Sequence, residues 1–152
     1  MEPKIYTLQE AENASKEYFC GDDLAARVWS TKYALKDSFG NLFELTPDDM
    51  HHRLASEIAR IEEKYPNPMS EAELFELMRD FKYIVPQGSP MTGIGNHFQV
   101  SSLSNCFVIG QDGSNDSYGA IIQLDEEQVQ LMKRRGGVGH DLSTIRPNGS
   151  PV

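Results

Sequence analysis

The chain changes texture at Tyr83, and that break constrains its fold more than any other feature of the 152 residues. Before it, helix start signals recur. Thr7-Leu-Gln-Glu10 is a capping box that opens a helix running toward Phe19. After a break at Gly21, Asp22 caps a second helix with Leu24, Val28, Trp29 and Leu35 near one face. Asp37-Ser-Phe-Gly-Asn41 reads as a turn. Thr46-Pro47 sets a cap ahead of proline at the first helical position. The helix behind it carries Met50, Leu54, Ile58 and Ile61 at helical spacing and ends before Pro66. Ser70-Glu-Ala-Glu73 opens a fourth helix with Leu74, Leu77, Met78 and Phe81 inward. Four capped amphipathic helices predict a helical domain over residues 1–84.

Beyond Tyr83 the stretch from Ile84 to Asn96 holds too many glycines and prolines for a helix interior. Two strand-like runs follow, Phe98-Gln-Val100 and Cys106-Phe-Val-Ile109, and then a loop over residues 110–115. Asp116 is positioned to cap a helix with Tyr118, Ile121 and Ile122 that ends at Arg135. A second strand is expected after the glycine turn Gly136-Gly-Val-Gly139. Helices first, then strand, helix and strand, predict an α+β chain leading into α/β, with residues 85–152 starting the α/β layer.

The balance of 14 Lys and Arg against 23 Asp and Glu gives a net charge of −9. Such a surface argues against non-specific binding of nucleic acid, which wants a basic face, but leaves room for a single arginine to meet one nucleotide. No apolar stretch approaches the roughly 20 residues that span a bilayer, and residues 1–6 lack a signal-peptide core, so no membrane partner is expected. The expected compartment is the cytoplasm, where Cys20 and Cys106 would stay reduced.

Cys106 is the sharpest candidate for chemistry. A lone cysteine in a short strand is either a small buried hydrophobe or a reactive thiol. Ser102, Ser104 and Asn105 before it are donors suited to hydroxyl or phosphate oxygens. Cys20, at a helix end, reads as structural. Gly136-Gly-Val-Gly139 fails as a dinucleotide fingerprint, because Leu142 stands where the third glycine belongs. It is either a tight turn with Gly136 capping a helix, or a place where bare backbone faces a ligand. Lys133, Arg134 and Arg135 suit the negative end of a helix dipole. Arg146, between Ile145 and Pro147, is less easily read as solvated surface. His51 and His52 lie about 100° apart around a helix, and His97 and His140 are scattered, so no metal site is expected.

Taken in order, these motifs resemble the catalytic large subunit of ribonucleotide reductase, most closely from Pro86 to Val152. The helical half is only compatible with it. The resemblance implies a ten-stranded α/β barrel behind a helical domain, with the chain reaching Val152 before most of that barrel. The expectation is therefore a truncated N-terminal portion, inactive alone, of an enzyme making 2′-deoxyribonucleotides for DNA synthesis by thiol-dependent radical chemistry. It implies that Cys106 donates reducing equivalents to the ribose 2′ position and becomes half of a disulfide. Ser104, Asn105, Gly136 and Gly137 would face the ribonucleotide substrate. Asp116-Ser117-Tyr118 and Arg146 would hold a deoxynucleoside triphosphate or ATP effector; the family carries Leu or Met where this chain has Tyr118. The helix after Asp116 would pack two subunits into a homodimer, and a thioredoxin- or glutaredoxin-type protein would supply electrons. No ATP-cone is read ahead of the helices. The Pro86–Asn96 stretch with Ser-Leu-Ser-Asn-Cys106 is most like the adenosylcobalamin-dependent branch. Two other readings stay open: a stand-alone or split nucleotide-binding regulatory module, and a helical interaction domain with Cys106 as core.

Overall fold

The computed structural model describes residues 4–110 and 115–151, which fall into two compact units, Met1–Val100 and Ser101–Val152. Part of the loop expected over residues 110–115, namely 111–114, lies outside the described residues.

The first unit is helical: α1 (Leu8–Tyr18), α2 (Asp23–Lys32), α3 (Pro47–Glu62), α4 (Glu71–Met78) and α5 (Gly88–Gly93). Local chemistry fixes where these helices begin. The Thr7 hydroxyl accepts from Glu10 N (3.2 Å) while the Glu10 carboxylate accepts from Thr7 N (2.8 Å). Ser70 and Glu73 repeat the exchange at α4. At α3 the Asp49 carboxylate takes the N–H groups of Leu45 and Thr46, and Pro47 fills the first helical position. These partners replace helical bonds that the first turn cannot make.

The core gathers Ala11 from α1, Trp29 from α2, Met50 and Leu54 from α3, and Leu74 and Met78 from α4. On α2 the inward face is Ala26, Trp29 and Ser30, whereas Leu24, read above as inward, is 72% exposed in the first turn. The segment over residues 85–100, grouped above with the α/β layer, packs into the helical unit instead. Met91 joins its core and Ile94 lies against it.

A buried ion pair explains that docking. Arg53 on α3 meets Glu44 through Nε–Oε1 (2.7 Å) and Nη2–Oε2 (3.3 Å), with side chains 10% and 4% exposed. Its remaining N–H groups donate to the carbonyls of Met91 (2.8 Å) and Ile94, while Glu44 also accepts from Leu35 N (2.7 Å). Gly95 follows in a left-handed conformation (φ +70°), where a Cβ would lie 2.8 Å from the Arg53 stem. Phe98–Val100 is not a strand. Asn96 Oδ1 accepts from Phe98 N and Gln99 N, so the side chain turns the backbone, and Phe98 stacks on Phe43.

The second unit holds β1 (Cys106–Ile109), α6 (Tyr118–Met132) and β2 (Gly137–His140). The strands are parallel, in register Cys106 to Gly137 through Ile109 to His140. A parallel pair needs a crossover, and α6 supplies it. Ser117, not Asp116, caps α6: its hydroxyl accepts from Ala120 N (3.1 Å). Ala120 and Leu124 are the buried apolar positions of the helix. The helical domain followed by this strand–helix–strand segment is the architecture expected from the sequence. Among the described residues no helix is long and apolar enough to cross a membrane.

Candidate functional site

The expected site residues all described in the second unit fall into two groups, one at each end of the strand pair. Cys106, Ser104, Asn105 and the two glycines gather where β1 and β2 begin. Asp116, Ser117, Tyr118 and Arg146 belong to segments that meet beyond their carboxyl ends. Four-residue strands separate the two ends by about 10 Å.

Cys106 is the first residue of β1 and its side chain is exposed, as a free thiol. It is not a core cysteine in this chain, which removes the reading that made it one. Cys20, expected to be structural, is also exposed and free, in a left-handed conformation (φ +54°) just after α1. The approach to Cys106 is shaped locally. Ser102 N donates to Arg134 O (2.9 Å), and the Ser102 hydroxyl donates to Ser104 O and accepts from Ser104 N, both at 3.0 Å. Asn105 O then accepts from Gly137 N (2.6 Å), the bond that begins the strand pairing. Ser104 is exposed and Asn105 half-buried.

The two glycines are placed differently, Gly136 buried and Gly137 exposed. Gly136 is buried beneath Phe107, where a Cβ would lie 2.8 Å from the ring, and its N–H donates to Leu131 O (3.0 Å). The Gly137 N–H is committed to Asn105. Neither amide is left to donate to a substrate. What the glycines provide is the absence of side chains: Gly137 pairs with Cys106, and Gly137 and Gly139 are both exposed. The surface beside the thiol is therefore bare backbone, over which a ligand can come close.

At the other end, Asn115 stitches two segments together. It is 2% exposed, its N–H donates to Thr144 Oγ1 (2.9 Å), and its side-chain amide donates to Asp141 O (2.7 Å). In the sequence it is marked only as an amide residue directly before Asp-Ser. Next to it, Arg146 Nε meets Asp116 Oδ2 at 2.6 Å, Nη2 donates to Asp116 O (3.1 Å), and Nη1 donates to Pro151 O (2.7 Å). Asp116 and Arg146, expected to act together, are brought together. Tyr118 opens α6 with 82% of its surface exposed. The Ser143 hydroxyl and backbone N–H hold the Asp141 carboxyl below its usual range.

The arrangement offers one accessible thiol on an open strand face and one arginine on a small polar clasp. Ligands of open α/β sheets collect beyond the carboxyl ends of the strands, where that clasp stands. No group of three His, Cys, Asp or Glu side chains that could hold a metal exists among the described residues. His51 is buried, and His52 stacks on Phe75 (3.9 Å).

Residues 21–92 match the family described as ribonucleotide reductase, all-alpha domain, and residues 104–152 match ribonucleotide reductase, barrel domain. The division between the two compact units, after Val100, falls between these ranges. No curated protein and no solved structure matches the chain.

Proposed function

The chain belongs to the ribonucleotide reductase family, carrying its all-alpha domain followed by the beginning of its barrel domain, and from that premise we propose that Cys106 is a reducing thiol of the enzyme. The observation that carries this reading is the strand register that sets an exposed Cys106 beside Gly137. A thiol that must meet a ribose needs an unobstructed neighbour, and glycine leaves one.

The chemistry is a two-electron exchange. Two thiols become one disulfide and release two electrons and two protons. The substrate loses its 2′-hydroxyl as water, and hydrogen takes that place on the carbon. Cys106 supplies one thiol. Ser104 and Asn105, at the mouth of β1, are suited to bind the hydroxyls or phosphate of the ribonucleotide, while the exposed Gly137 lets it lie close to the sheet, with Gly136 buried behind it. A disulfide partner and a separate radical-bearing cysteine make three thiols, and the sequence holds two cysteines. The 152 residues by themselves are therefore proposed to be inactive.

Asp116, Ser117, Tyr118 and Arg146 form the proposed effector site for a deoxynucleoside triphosphate or ATP. The exposed face of α6, with Tyr118, Ile121, Ile122, Val129 and Met132, is the proposed homodimer surface. A thioredoxin- or glutaredoxin-type protein would return the disulfide to thiols. Adenosylcobalamin is the proposed radical source, on the strength of the Pro86–Cys106 sequence, and no step above runs through it.

Cys106→Ser tests the central claim. In the enzyme that contains these residues, multiple turnover with excess dithiol should collapse while substrate binding and the fold persist, because a hydroxyl cannot form the disulfide. A folded variant retaining more than about a tenth of wild-type turnover, a barrier change under about 1.4 kcal/mol, would show that Cys106 is not the reductant. Cys20→Ser serves as the control.

A further inference from the structure

The clasp between Asp116 and Arg146 has a geometry that bears on how the proposed effector site is entered, and the following rests on that assignment. A guanidinium recognises a carboxylate or phosphate best along an edge, with two parallel N–H groups. On Arg146 the Nε–Nη2 edge is already filled. Both acceptors come from one residue, Asp116: its carboxylate at 2.6 Å and its own carbonyl at 3.1 Å. The third nitrogen is also engaged. A turn over residues 147–150, closed by Ser150 N on Pro147 O (3.2 Å) and carried through Gly149 at φ +88°, brings Pro151 O back to Nη1.

We propose that Asp116 is a built-in substitute for phosphate: a polyphosphate ligand displaces its carboxylate from Arg146, so that binding is read as the exchange of one anion for another. Three observations support exchange over simple addition. The preferred edge of the guanidinium is occupied. Both side chains reach solvent, 43% and 24% exposed, so an incoming anion can approach the pair from outside. The anchor beneath it does not depend on it, since Asn115 holds the two segments together through Thr144 and Asp141. The exchange also has an output. Arg146 holds Pro151 O through the same guanidinium, so any shift of that group toward the new anion is passed to the residue 147–151 turn.

Inorganic tripolyphosphate, which has no sugar or base, isolates the phosphate step. It is titrated into the 152-residue chain by calorimetry and by following the Arg146 Nε–H and the 147–151 amide signals in NMR spectra. Arg146→Ala should lose binding at least tenfold. Asp116→Asn and Asp116→Ser should each tighten it about two- to fivefold, the worth of an exposed ion pair. Asp125→Asn, which removes the same charge elsewhere on α6, should tighten it less. In the wild type the Arg146 and 147–151 signals should move together.

Binding that needs Arg146 but is not tightened by either Asp116 variant beyond Asp125→Asn would overturn the exchange and leave the effector site standing. Binding indifferent to Arg146→Ala, or no binding by any variant, would overturn the effector-site assignment and the exchange with it.

Discussion

Arg53→Met removes one half of the ion pair that ties residues 85–100 to the helical unit. The side chains of Arg53 and Glu44 are 10% and 4% exposed, so the carboxylate left behind cannot be rescued by solvent. Its hydrogen bond from Leu35 N would remain, and the Met91 and Ile94 carbonyls would each lose a guanidinium N–H. Breaking a buried pair in this way costs about 3–5 kcal/mol, against under about 1 kcal/mol for an exposed one. The double variant Arg53→Met/Glu44→Gln removes the stranded charge and keeps an acceptor for Leu35, so it should be more stable than Arg53→Met by about 1 kcal/mol or more. Trp29, the single tryptophan and 2% exposed in the same core, reports unfolding in urea without added labels. The cost should also depend on pH. Burial already pushes the Glu44 carboxyl above its ordinary value and Arg53 pulls it back; without Arg53 it rises further. A carboxyl raised in the fold contributes stability below its unfolded value and loses it as pH climbs through the folded one. The penalty of Arg53→Met should therefore shrink in acid and grow toward neutral pH. A penalty under about 1 kcal/mol at pH 7, or a double variant as unstable as the sum of the singles, would refute the reasoning.

Two further outcomes are expected. Gly136→Ala forces a Cβ to 2.8 Å from the Phe107 ring and 3.2 Å from Leu131 O, so it should cost about 1–3 kcal/mol and speed amide exchange of the β1–β2 pair; unchanged exchange would mean the turn has slack that the geometry does not show. His51 is fully buried and edge-on to Phe81, with Nδ1 3.8 Å from Asp48 Oδ1 and neither ring nitrogen hydrogen-bonded among the described residues; burial pushes its imidazole below the usual value against the opposing pull of Asp48 and Asp80. Stability it contributes above about pH 6.5 is lost as pH falls through its lowered value, so melting temperature should drop faster in acid for the wild type than for His51→Phe; parallel curves would discount it.

The parts of this fold legible in the sequence are those whose chemistry is local. The Thr7–Glu10 and Ser70–Glu73 capping boxes close over three residues, and a reader sees both partners at once. The Glu44–Arg53 pair, with its ties 38 and 41 residues on to Met91 and Ile94, has no periodic signature, so the packing of residues 85–100 into the helical unit is not legible in the sequence. Phe98-Gln-Val100 has the composition of a strand, and one Asn96 side chain overrides it. At α6, Asp116 and Ser117 are both good caps side by side; Arg146 holds the first, and the second caps the helix. Cys106 and Arg146 stood out as candidates because each is chemically isolated in its stretch. Asn115 did not, because a buried amide matters only through partners 26 and 29 residues away.

The closure of the helical unit within residues 1–100 sets an order of events during synthesis. Translation delivers a chain from its N-terminus, and domains generally fold as units as they emerge. Everything the Trp29 core uses is present before Cys106 leaves the ribosome. The strand carrying the cysteine cannot do the same. Its parallel partner begins at Gly137, and the intervening chain must be made, and its closure entropy met, before one bond of the ladder forms. The nascent protein thus holds a finished helical unit trailed by a reduced, unpaired thiol segment.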